Sequence, residues 1–171
     1  MSGHMIEPAP RGRSGERPRP HLERALIPAL GFSHIGIAVP DLEAAAAQLA
    51  ERFGVTPGVP KEVPEQGVRI VMVQLGTATI ELLAPTGPDS PVAKFLERNP
   101  AGGVHHIALH VPDAGEAADA VREAGLRIVG AGEPRPGYHG RPIFFVNPKD
   151  FFGALFEFEE APKGAAHDDH S

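Results

Sequence analysis

The tightest constraint on the fold is an internal repeat. Residues 33–41 read S-H-I-G-I-A-V-P-D, and residues 105–113 read H-H-I-A-L-H-V-P-D. At an offset of 72, five positions of the two segments coincide: His34/His106, Ile35/Ile107, Val39/Val111, Pro40/Pro112 and Asp41/Asp113. The echo continues downstream in Ala45/Ala117, Ala46/Ala118 and Glu51/Glu123. A period this long exceeds that of a solenoid unit. Two copies of one supersecondary unit should therefore pair into a single pseudo-symmetric body. A histidine at the same register of both copies calls for a chemical reason.

Each copy can be parsed locally. Residues 31–39 alternate as a strand, with Ile35, Ile37 and Val39 on one face and His34, Gly36 and Ala38 on the other. The small residues leave room on the histidine face for something other than core. Asp41 is a helix N-cap, and residues 42–53 form an Ala-rich helix closed by Gly54. Pro57, Gly58, Pro60 and Pro64 mark a loop, and residues 68–75 and 77–83 read as a hairpin. Residues 91–98 make a short helix. In the second copy residues 104–111 are a strand, with His106, Ala108 and His110 sharing a face. Asp113 caps a helix that ends near Gly125, residues 126–129 read as a short strand, and residues 130–140 as a Gly/Pro loop holding Tyr138 and His139. Residues 142–146 and 154–159 are the last strands. Each copy is thus strand, helix, then about three strands, which places the chain in the α+β class as two tandem βαβββ modules.

The expected organisation is one domain over residues 31–161, with module one at about 31–99 and module two at about 100–161. Residues 1–30 read as a disordered Pro/Arg-rich arm, and residues 162–171 as a polar tail.

The terminal strands of the modules carry a second matched pair. Glu81 lies in Ile-Glu-Leu and Glu157 in Phe-Glu-Phe, now at an offset of 76. Their apolar neighbours face the other way, so the carboxylates point to the same concave face as the histidines. There is no cysteine, which excludes thiolate metal sites and a Cys nucleophile. Two His and two Glu remain as a plausible N2O2 set for a divalent cation, and ligand type does not choose among cobalt, manganese, zinc, nickel and magnesium. Strand alternation puts His105 on the face away from His106, which gives it a structural role. His110 shares the face of His106 and is open to lining a pocket, and His139 could contact a ligand. His4, His21, His167 and His170 sit in the tails. A net charge of -6 argues against a general nucleic-acid binder, and no apolar run is long enough for a membrane span.

The segments H-I-G-I-A-V-P-D, E-L-L-A-P-T-G-P-D-S-P-V-A-K-F-L, G-G-V-H-H-I-A-L-H-V, P-G-Y-H-G-R-P-I-F-F-V-N-P-K-D and G-A-L-F-E-F-E resemble the methylmalonyl-CoA epimerase family. That family belongs, with glyoxalase I, to the vicinal oxygen chelate superfamily, and the resemblance covers about residues 31–161. It implies a curved mixed sheet around a central metal site, with His34, Glu81, His106 and Glu157 as the metal positions. It also implies a homodimer acting on an acyl-CoA, cytoplasmic or, in a eukaryote, in the mitochondrial matrix. The implied reaction interconverts the S and R forms of methylmalonyl-CoA by removing the C2 proton through a metal-stabilised enediolate. Glu157 and Glu81 are then the candidate bases. Some members carry a base Glu after the Glu-Gln-Gly-Val loop, and Ile70 holds that place here. Lys94, Arg98, Arg141 and Lys149 are candidate contacts for the CoA phosphates, and His139 for substrate.

Two other readings stand beside this one. A glyoxalase I-like lyase acting on a 2-oxoaldehyde–glutathione adduct would use the same four ligands. A metal-free binding protein on the same scaffold would be expected to lack one or more of them.

Overall fold

The computed structural model describes residues 25–163. The arm expected at residues 1–30 and the tail at 162–171 fall almost wholly outside the described residues. In chain order the elements are β1 (Gly31–Ala38), α1 (Leu42–Phe53), β2 (Lys61–Val63), β3 (Val68–Leu75), β4 (Ala78–Pro85) and α2 (Pro91–Arg98). They continue with β5 (Gly103–Val111), α3 (Ala114–Glu123), β6 (Arg135–Pro136), β7 (Pro142–Val146) and β8 (Phe156–Glu160). All eight strands form one sheet in the order β2-β3-β4-β1-β5-β8-β7-β6. The order is palindromic: 2-3-4-1 from the first copy meets 5-8-7-6 from the second. The two halves join through the antiparallel β1–β5 pair, and each of those strands has a parallel neighbour, β4 or β8. The repeat therefore folds as two βαβββ modules related by a pseudo-twofold axis between β1 and β5.

The helices start where their capping chemistry starts. The Asp41 carboxylate accepts from the Ala44 N–H at 2.9 Å, and Asp113 accepts from Glu116 N–H at 2.9 Å. Gly54 ends α1 in the left-handed region at φ 66°, which a residue with a Cβ adopts only at a cost. Helix α1 covers Val71, Val73, Leu82 and Ala84 on one face of the sheet. Helix α3 does the same for the second module, burying Ala114, Ala117, Ala118 and Val121 against Val111, Phe144, Val146 and Phe158. Phe144 and Phe158 stack there with centroids 5.2 Å apart, each worth roughly 2–3 kcal/mol of burial. A third cluster lies on the opposite, histidine-bearing face. There Val92, Phe95 and Leu96 of α2 close over Ala38, Val68, Ile70 and Leu83, with Tyr138 against them.

Two expectations are corrected. Residues 126–129 form no strand. They sit between Gly125 and Gly130, both at positive φ, and make only the single bridge Ile128↔Val146. The left-handed glycines turn the chain at both ends, and two backbone bonds, Val129 N–H to the Phe145 carbonyl and Asn147 N–H to the Arg127 carbonyl, flank that one bridge. Conversely, the Pro-rich loop after α1 contains β2, whose three residues between Pro60 and Pro64 pair with β3. Its counterpart β6 sits inside the Gly/Pro loop of the second module. Proline density hides both edge strands from a local reading, because proline is tolerated at sheet edges.

Candidate metal centre

The centre is built from two rows across the middle of the sheet. In one row Glu81 on β4 lies beside Gly36 on β1, which lies beside His106 on β5. In the other, His34 on β1 lies beside Ala108 on β5, which lies beside Glu157 on β8. Each row has a small residue in the middle, a carboxylate at one end and an imidazole at the other. The pseudo-twofold exchanges the rows. The four side chains are almost fully buried, between 3% and 6% exposed.

Their donor atoms converge. His34 Nε2 and His106 Nε2 are 3.1 Å apart. Glu81 Oε2 is 3.3 Å from His106 Nε2 and 3.7 Å from His34 Nε2, and Glu157 Oε2 is 3.3 Å from His106 Nε2. His34, Glu81 and His106 each offer a ligand atom within 4.8 Å of the others. The two imidazoles meet edge-on, with planes at 82°. Gly36 makes this possible: a Cβ there would lie 2.2 Å from His106 Cε1 and 2.5 Å from both ring nitrogens. The His106 ring occupies the space that any other residue at position 36 would fill.

Burial holds all four groups toward their neutral forms. Desolvation pushes the Glu81 carboxyl up to about 7, against the opposing pull of His34. It raises Glu157 well above the usual carboxylate range, and repulsion from Glu81 and Glu159 adds to this. It lowers His106 to about 4, and lowers His34, for which the Glu81 charge compensates in part. Charging any one of these groups alone in such a site is costly. A bound divalent cation would supply the missing charge; His34, Glu81 and His106 offer it ligand atoms within reach of one another, with Glu157 on the His106 side, so the donor set fits one.

Sequence alternation misplaces His105. The β1–β5 register slips by one residue, pairing Gly36 with His106 but Ile37 with Val104. His105 is thus the extra residue of a β-bulge, which re-aims its side chain. Its Nδ1 lies 3.0 Å from His106 Nδ1, and its ring packs edge-on against Phe95 of α2 with centroids 5.2 Å apart. His105 therefore stands beside the centre and not behind the sheet.

Strand β8 adds a residue that the sequence reading passed over. Glu159 is two positions after Glu157 on the same face and only 3% exposed. It receives the Ser33 hydroxyl at 3.1 Å, pairs with Arg141, and lies 3.9 Å from His110 Nδ1. His110 Nδ1 is buried without a hydrogen-bond partner. The legible signal for Glu159 was its spacing from Glu157. Arg141 is committed to this network, since its Nε also donates to the Glu160 carbonyl at 2.7 Å. Lys94, Arg98 and Lys149 are exposed, as is His139, whose pKa is lowered by desolvation against the opposing pull of Glu159. Ile70 faces the same side as Glu81, by its register through Leu83, and is 1% exposed among apolar neighbours. The four tail histidines lie outside the described residues. A cavity of about 380 Å³ reaches His106 and is lined by Phe95, Val104, His105, Ala154 and Leu155 among others.

The family model for the Glyoxalase/Bleomycin resistance protein/Dioxygenase superfamily matches residues 33–145. The chain belongs to this superfamily and, within it, to the methylmalonyl-CoA epimerases. It is 51% identical over 129 residues to the ethylmalonyl-CoA/methylmalonyl-CoA epimerase of Cereibacter sphaeroides, covering 75% of this chain and 96% of that one. It is 42% identical to the mitochondrial methylmalonyl-CoA epimerase of Homo sapiens, covering 76% of this chain and 73% of that one. Among solved structures, a methylmalonyl-CoA epimerase in complex with methylmalonyl-CoA and NH4+ superposes with a TM-score of 0.72 at 36% identity. That match covers 78% of this chain and 95% of that one.

Proposed function

We propose that the protein is an epimerase that interconverts the S and R forms of methylmalonyl-CoA at a divalent-metal centre held by His34, Glu81, His106 and Glu157. The observation that carries this reading is the paired rows: two imidazoles and two carboxylates brought together by a pseudo-twofold, in a chain similar over most of its length to epimerases of this substrate. A divalent cation bound there would stabilise the negative charge that develops on the thioester oxygen as C2 loses its proton. The chain's own residues move that proton. The two carboxylates come from opposite ends of the rows, so they can address opposite faces of C2.

Glu157 is assigned as the base that takes the proton and Glu81 as the acid that returns one to the other face, the roles exchanging with direction. Each carboxylate would have to loosen from the cation to take a proton, and the burial around both would let it hold that proton between steps. Ile70 cannot serve, having no titratable atom. Lys94 and Lys149 are free to meet CoA phosphates, with His139 at the rim; Arg141 is the weakest of the proposed contacts because Glu159 already holds it. A homodimer in a cytoplasmic or mitochondrial-matrix setting belongs to the same proposal. No helix among the described residues is long and apolar enough to cross a membrane.

The test is to incubate metal-loaded protein with methylmalonyl-CoA in heavy water and follow C2 label by mass spectrometry. EDTA-treated protein, ethylmalonyl-CoA and the methylglyoxal–glutathione adduct serve as parallel arms. Label should enter C2 of the malonyl thioesters, stop with EDTA and return with metal. Consumption of the adduct with no labelling would replace this reading with the lyase.

A further inference from the structure

The two bulges of the β1–β5 pair are themselves related by the repeat. On β1 the register slips between Phe32 and His34, leaving Ser33 as the extra residue. On β5 the extra residue is His105, at the same offset of 72 that relates His34 to His106. Each bulge thus falls immediately before a candidate ligand histidine. Each turns a polar side chain back onto the Nδ1 of that histidine: Ser33 Oγ at 3.0 Å from His34, and His105 Nδ1 at 3.0 Å from His106. In a regular strand, neighbouring side chains point to opposite faces and could not meet in this way.

We infer that Ser33 and His105 are a matched pair of positioning residues that hold His34 and His106 in the Nδ1–H tautomer, leaving both Nε2 lone pairs for a cation. For His34 the assignment follows from counting protons. The Ser33 hydroxyl has one proton, and it goes to Glu159 Oε2 at 3.1 Å. Ser33 Oγ can therefore only accept from His34, so the imidazole proton sits on Nδ1. Glu159 is anchored in turn by Arg141, which makes a relay of Arg141, Glu159, Ser33 and His34. For His106 the partner is another imidazole. Two nitrogens 3.0 Å apart share one proton, and a cation held by both Nε2 atoms, which lie 3.1 Å apart beside the Glu81 and Glu157 carboxylates, needs each of them unprotonated. Placing the shared proton on His106 Nδ1 frees that Nε2 and puts the His105 proton on its own Nε2. Phe95 holds the His105 ring in place. Partners of this kind fix ring orientation and tautomer, and their loss typically costs 10–100-fold in metal affinity.

The inference rests on the metal reading above, and its test separates the two. Long-range proton–nitrogen-15 spectra of the full-length protein loaded with Zn2+ report each tautomer directly. Competition with a chromophoric chelator gives the affinity for Mn2+ and Co2+. Native protein should show His34 and His106 as Nδ1–H. Ser33→Ala should disturb His34 alone and His105→Phe should disturb His106 alone, each weakening metal binding about 10–100-fold. Ser33→Thr and His105→Asn restore a polar atom at the same place and should recover the native value, which a purely structural role would not predict. An Nε2–H tautomer in the native protein overturns the inference, even if the variants fail to fold. So do variants with native tautomers and native affinity. Native protein that binds neither metal refutes the metal reading itself, whereas native metal binding left unmoved by both variants refutes only the positioning roles.

Discussion

Replacing Gly36 with Ala should separate folding from metal binding. The position lies mid-strand and is not among the glycines at positive φ, so the backbone accepts alanine. The obstacle is the His106 ring, whose Cε1 would stand 2.2 Å from the new Cβ, whereas ordinary contact begins at 3.4 Å. The ring or the strand must give way by about 1.2 Å, the difference between these two distances. His106 is 3% exposed and packed edge-on against His105 and Phe145, so a shift of the ring carries its Nε2 away from the other donors. Functional constellations tolerate roughly 0.5 Å, and a displacement of about 1 Å can cost on the order of 100-fold.

The variant should therefore lose about two orders of magnitude in metal affinity and at least as much in C2 exchange. Its effect on the metal-free fold should be smaller. Overpacking costs roughly 1–3 kcal/mol, and relief of the glycine entropy returns roughly 0.5–1. The net shift in Tm should be a fall of no more than about 10 °C. Ala108→Gly is the matched control, since it alters the equivalent position of the other row without crowding a ring. The assays are calorimetric Mn2+ titration and thermal melts with and without metal. Saturating metal at about 100 times Kd should stabilise the native protein by roughly 2.7 kcal/mol, and this increment should fall to roughly 0.4 kcal/mol in Gly36→Ala at the same concentration. A Gly36→Ala protein with native affinity and turnover would refute the steric argument.

Glu157→Gln and Glu81→Gln should each lower C2 exchange by about 100- to 10,000-fold, read by mass spectrometry, and native turnover with native metal content in Glu81→Gln would sink the two-carboxylate scheme. Metal affinity should fall as pH drops below about 7, because Glu81 must give up its proton to bind, and titration in weakly buffered solution near pH 6 should detect that release. In the metal-free protein Glu81, raised from 4.5 to about 7, contributes stability that is full below about 4.5 and lost as pH rises through 7. His106, lowered from 6.5 to about 4, contributes stability that is full above 6.5 and lost as pH falls through 4, so the two trends oppose each other between pH 4.5 and 6.5 and denaturant melts there should show little net slope from this pair. Phe152 is 94% exposed at φ 55°, and Phe152→Asn should gain roughly 1 kcal/mol by relieving that strain, seen as a rise in Tm with exchange activity unchanged.

Much of the fold was legible because its signals are local or periodic. The repeat named the modules, strand alternation named the face shared by His34 and His106, and Asp41, Asp113 and Gly54 marked helix ends through capping chemistry confined to one turn. The same alternation applied to β4 and β8 turned Glu81 and Glu157 toward that face. The edge strands β2 and β6 escaped because proline argues against a strand unless its edge position is already known.

By itself the sequence determined which residues could meet: a twofold duplication of His and Glu, with small residues kept between them. Only the tertiary structure decided how they meet. The bulges at Ser33 and His105 exist because two particular strands pair with a slipped register, and register belongs to the pairing and not to either strand. Glu159 joins the centre because β8 lies beside β5, bringing it to Ser33 across 126 positions of chain. The shifted protonation of Glu81, Glu157 and His106 comes from burial, a property of everything packed around them and of no residue alone.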